Sequence, residues 1–110
     1  MNDYEQTKRL ASLTQMVLAA EQTRMAILRR QEANLRKSLS DLTIDPASGV
    51  AQQAAADTLY QAWADSRRRS INIDLARNLA EQDGHRATLA RAFGRDQVCQ
   101  ELVERTKPRR

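Results

Sequence analysis

Three arginines stand in a row at Arg67, Arg68 and Arg69, within the stretch WADSRRRSINIDLAR (63–77). Guanidinium groups at that density could hold phosphate or carboxylate, so the backbone that carries them decides their chemistry. On a helix successive residues step by about 100°, so the triplet fans over roughly 200° and forms no flat basic patch. Asp65 precedes Arg69 by four, the favourable order for an ion pair, and Arg67 shares a face with Ile71 and Asp74. One of the three is expected beside a helix–helix seam opposite Met25, with its stem buried and its guanidinium reaching out. The triplet reads first as a salt-bridged shaft surface and second as a partner contact.

His85 and Cys99 are the only histidine and the only cysteine. Neither has a second His or Cys at ligand spacing, so neither a zinc site nor any other cofactor is expected. A nucleophilic Cys99 would need a base and an oxyanion hole, which a helical hairpin with one histidine does not supply. No glycine-rich phosphate loop is present. The chain is expected not to be an enzyme and to act by binding. Trp63 fits two roles: a wide core knob against Leu28 and Leu35, or an interaction anchor lying half exposed beside Tyr60.

The elements that must position these residues follow from composition and period. The chain has 110 residues, room for one domain, with three glycines, two prolines and only four aromatic side chains. Ala, Leu, Arg, Gln and Glu dominate, so the fold class is all-α. Residues 3–42 read as one helix. Leu10, Leu13, Val17, Ala20 and Ile27 follow one seven-residue frame, and Leu18, Met25, Leu28, Leu35, Leu39 and Leu42 follow a second. Adjacent frames are what a nearly straight helix shows as it drifts against a strict heptad. Turn chemistry in DLTIDPASGV places a turn at 43–49, and a second helix runs from about 50 to 93.

Folding at Pro46 brings residue i opposite roughly 92 − i, pairing Leu28 with Trp63 or Ala64 and Leu13 with Leu79. The expected architecture is an elongated antiparallel two-helix hairpin, a coiled coil forming a single domain. Gly84 suggests a bend and Gly94 an end, with Asp96 capping a short helix over about 95–105 before a basic tail at 106–110. In that register everything from Ala90 onward overhangs the hairpin. Arg91, Phe93, Arg95, Val98 and Leu102 then form an unpartnered amphipathic helix, a candidate binding element.

The formal charge is +4. Residues 50–106 hold eight arginines and eight acids, whereas Lys107, Arg109 and Arg110 supply +3 at the end. Most of the excess is a tail rather than a basic face, which counts against nucleic-acid binding. No apolar run is long enough to insert in a membrane, and the first residues lack the apolar core of a signal peptide, so the expected location is cytoplasmic.

With WADSRRRSINIDLARNLAEQ and LARAFGRDQVCQELVE on the second helix and its extension, the chain resembles the bacterial type III secretion stalk family. This comprises the flagellar FliJ-type and injectisome YscO-type export proteins. The resemblance covers nearly the whole chain in pattern: two long helices, an uneven hairpin, Arg/Gln/Ala/Leu richness and a basic end. It implies a cytoplasmic coiled coil, peripheral at the membrane-bound export apparatus. The paired-helix end near both termini would sit in a hexameric export ATPase and promote its assembly or activity. Further implied partners are an export-gate component and chaperones. The alternative is a self-associating helical bundle, a homodimer in its simplest form, that binds nucleic acid or a regulatory protein. The residues singled out for partner binding are Trp63, Arg67, Arg68, Arg69, Arg91, Phe93, Arg95, Val98 and Leu102.

Overall fold

A computed structural model describes residues 2–42 and 51–109. The described residues form two helices, α1 (Asp3–Asp41) and α2 (Ala51–Thr106), and no strand. The turn expected at 43–49 lies outside the described residues. Asn2 starts α1: its side-chain oxygen accepts from the backbone N–H of Glu5 at 2.8 Å, satisfying a donor that the first turn leaves open. Asp3 and Glu5 add negative charge where the helix dipole is positive. α2 stops at Thr106, two residues before Pro108, which offers no N–H to continue the ladder.

α2 corrects the expected break. It continues through Gly84 and Gly94 as one helix of 56 residues, and neither glycine has positive φ. No separate helix begins at Asp96. Each glycine costs about 1 kcal/mol against alanine in a helix interior. Both lie on the outside of the pair, and the seam continues on either side of them, so the packing carries the helix through.

The chain divides into two compact units, Arg29–Glu81 and Met1–Leu28 with Gln82–Arg110. In each, a segment of α1 pairs antiparallel with a segment of α2. The first of these units holds the leucine-rich packing: Leu42, Ala64 and Ile71 are buried, with Leu35 and Leu39 against them. Ile71, 1% exposed, is the one large side chain among the described residues that is fully buried. Its burial contributes about 1.5–3 kcal/mol. The unit that holds both chain ends has a thinner core of Ala11, Met25, Leu28, Ala92 and Cys99, shared with buried Gln82 and His85.

Both segments of α1 bury or half-bury alternate third and fourth residues: Tyr4, Thr7, Ala11, Thr14, Leu18, Glu21, Met25 and Leu28 in one unit, then Glu32, Leu35 and Leu39 in the other, with Leu42 just past the helix end continuing the series. α2 does the same with Ala64, Arg68, Ile71, Leu75 and Asn78, then Gln82, His85, Leu89, Ala92, Asp96, Cys99, Val103 and Thr106. This is a strict heptad seam, the signature of a coiled coil. The two frames of α1 are therefore not one stripe drifting. The Leu18 frame is the seam, whereas Leu10, Leu13, Val17 and Ile27 face outward along its flank.

The register also differs from the expected one. The side chains of Gln31 and Asn78 meet at 3.5 Å, Thr14 and Asp96 at 3.1 Å, and Thr7 and Thr106 at 2.7 Å. Residue i thus lies opposite roughly 110 − i rather than 92 − i, a slide of about five helical turns. Residues 90–106 are not an overhang but the partner of the first turns of α1. The expected register matched leucines and passed over Thr7, Thr14, Glu21, Asn78, Gln82, His85 and Asp96. Those polar residues occupy seam positions, where Thr14 bonds to Asp96, Glu21 to His85, Asn78 to Gln31 and Thr7 to Thr106 across the pair, which selects the alignment.

Candidate binding groove

Within the unit that holds both chain ends, the heptad sets four residues of α2 on one outer flank: Arg91, Arg95, Val98 and Leu102. In an antiparallel pair the matching flank of α1 comes up beside it, here with Leu10, Leu13 and Val17. The two flanks enclose an open groove over the seam. Its upper stretch is lined by Leu10, Thr14, Arg91, Gly94, Arg95, Val98, Cys99 and Leu102, and its wall is almost wholly carbon. A second stretch is lined by Leu13, Val17, Ala92 and Arg95. Leu13 stays 58% exposed and Val98 56%. An exposed apolar run of this kind is an interaction surface in waiting.

Charge at the groove is one-sided. The Arg91 guanidinium has a 3.5 Å contact to the Thr88 hydroxyl, and among the described residues neither Arg91 nor Arg95 pairs with a carboxylate. The nearest acid in sequence, Asp96, turns into the seam, where its carboxylate accepts from the Thr14 hydroxyl at 3.1 Å and from Gln100 at 3.4 Å.

The arginine triplet is not one surface. Arg68 occupies a seam position, as one of the three was expected to, but opposite Leu42 rather than Met25. It donates 2.7 Å hydrogen bonds to the Leu42 carbonyl and to Asp65. Asp65 thus pairs with Arg68, three residues on, and not with Arg69, whose Nε reaches only the Asp65 carbonyl at 3.4 Å. Arg67 and Arg69 stay exposed. Trp63 is 55% exposed, with its ring 5.5 Å from that of Tyr60, and is no core knob. Phe93 is 52% exposed and lies outside the groove that Val98 and Leu102 line.

His85 is buried in the seam, its Nε2 lying 2.9 Å from the Glu21 carbonyl oxygen and 3.1 Å from Glu21 Oε2. Both neighbours are acceptors, so the Nε2 proton serves both. Cys99 is a buried free thiol at another seam position. Among the described residues no group of His, Cys, Asp and Glu could hold a metal ion, and no helix is long and apolar enough to cross a membrane.

No protein-family model, curated protein or solved structure matches this chain. The groove therefore has to be understood from its own chemistry. Sequence reasoning found its α2 wall, Arg91, Arg95, Val98 and Leu102, but missed the α1 wall. The signal was present in the Leu10 frame, whose seven-residue repeat is as regular as that of the seam.

Proposed function

We propose that this chain is a non-enzymatic coiled-coil stalk or adaptor of a flagellar or type III secretion export apparatus. It engages the hexameric export ATPase and promotes the ring's assembly or activity, in the cytoplasm at the periphery of the membrane-bound apparatus. The observation that carries this reading is the pairing of the first turns of α1 with the last turn of α2, where the Thr7 and Thr106 hydroxyls meet at 2.7 Å. A stalk of the resembled family enters its ATPase by such a paired end, which a frayed overhang could not provide. Lys107 and Arg109 follow directly beyond Thr106 and are exposed, well placed to meet acidic loops of a ring. The near balance of charge along 50–106 suits a shaft that must not lock into one position.

The test is direct. Added to the purified export ATPase of the same cell, the full chain is expected to raise ATP hydrolysis and to shift the ATPase toward hexamers in sedimentation. If saturating chain neither binds nor changes turnover, the reading fails.

A further inference from the structure

The groove beside Leu10 and Val98 has a chemistry that identifies its occupant. Its α1 wall repeats apolar residues at Leu10, Leu13 and Val17, and the same frame continues to Ala20 and Ile27. A repeat of alternating three and four residues is matched along its length only by another helix, because a strand or a loop falls out of step within two turns. The opposite flank of α1 offers Ser12, Gln15, Ala19, Gln22 and Ala26, with no apolar stripe, so one side of the unit is built for a third helix.

Charge then chooses the class of helix. Arg91 and Arg95 stand four residues apart on the groove's edge without a carboxylate among the described residues. Their stems add apolar wall and their guanidinium groups point charge at whatever fills the groove. A second copy of this chain would bring the same two arginines to the same flank, a like-charge encounter. We infer that the groove receives an acidic amphipathic helix of a partner protein, its apolar stripe on Leu10, Leu13, Val17, Val98 and Leu102 and its carboxylates over Arg91 and Arg95. Arg95 and Leu102 are seven residues apart, so the partner's acids lie roughly 10 Å along its axis from its apolar anchor. The proposal needs no ATPase and stands or falls separately from the export reading.

The probe is a synthetic 21-residue amphipathic helix with Leu at its heptad core positions and Glu on the flanks, compared with the same peptide carrying Lys for Glu. Fluorescence anisotropy against the full-length chain is expected to show saturable binding of the acidic peptide. Two edge ion pairs should favour it over the basic one by about tenfold at low salt. V98E should weaken binding by at least about tenfold, and R91E/R95E should invert the preference while circular dichroism stays unchanged. Because these side chains are exposed, loss of folding is not expected, and L13E, on the other wall, provides an independent check. Equal binding of the two peptides, binding of neither, or indifference to R91E/R95E would overturn the proposal. So would association with phosphatidylserine–phosphatidylcholine vesicles in place of the peptide, or a V98E-sensitive dimer in sedimentation, which would assign the groove to lipid or to a second copy.

Discussion

The guanidinium of Arg68 on α2 donates a 2.7 Å hydrogen bond to the backbone carbonyl of Leu42, just past the end of α1. The last turn of α1 contains no basic residue of its own. Terminal carbonyls lack intrahelical donors and carry the negative end of the dipole, so the opposite helix supplies both the proton and the charge. Arg68 to Met keeps the stem's volume and removes this cap together with the ion pair to Asp65, which is mostly exposed and contributes little. It should lower unfolding stability by about 1 kcal/mol, the worth of a charge-assisted bond at a side chain one-third exposed. An unchanged denaturant midpoint would show that water caps Leu42 equally well.

Gly84 and Gly94 sit in helical backbone, and an added Cβ at either meets no atom within 4 Å. Gly84→Ala and Gly94→Ala should each raise stability by about 0.5–1 kcal/mol, since alanine loses less backbone entropy. Thermal melts of the single and double variants check this. A fall in either would mean that the helix needs a bend at that point.

Gln82 and His85 fill seam positions where a coiled coil ordinarily places leucine. Replacing both with Leu should raise the melting temperature, because the desolvated polar groups disappear and apolar area is buried. The same change removes the bond from His85 to Glu21 that helps select this register. Sedimentation should then show mixed oligomers in place of one species. A less stable but uniform variant would show that the polar contacts stabilise the pair outright.

Residues 92–106 pack on the start of α1, so their amides should exchange slowly, with Cys99 and Val103 well protected. Deleting residues 2–14 should release that protection. Fast exchange in the intact chain would instead describe a free helix.

Trp63 is more than half exposed. Its emission should resemble that of free tryptophan and be quenched readily by iodide. Trp63→Phe should change stability by no more than about 0.5 kcal/mol, the usual limit for a surface site. A blue-shifted, protected emission would place the ring in an interface that forms between copies in solution.

Much of the fold was legible from residue types. Helix formers and turn chemistry at 41–50 specified two long helices, and both seven-residue frames of α1 were visible, but they were read as one drifting stripe, whereas only the Leu18 frame is the seam. The groove's α2 wall was found for a reason that did not hold. Val98 and Leu102 were expected to lack an intrachain partner, whereas they flank a seam formed by Ala92, Asp96, Cys99 and Val103. Gly84 and Gly94 misled because a local penalty of about 1 kcal/mol looks decisive when the packing around it is not in view.

The sequence alone determined that the chain forms two long helices and carries two seven-residue frames in α1, because helix propensity and period are local and accumulate along a chain; that α2 runs unbroken through Gly94 to Thr106 was not legible. It did not determine which frame faces inward or which residues meet. An apolar stripe looks the same whether it is buried or waiting for a partner, and leucines match leucines in several registers. The tertiary structure decided both through the less common contacts: Thr14 to Asp96, Glu21 to His85, and Arg68 to Leu42. Polar groups in a seam tolerate few alignments, since a misplaced one is desolvated without a partner. The alignment they select brings Leu10 beside Val98 and turns a presumed free end into one wall of a groove.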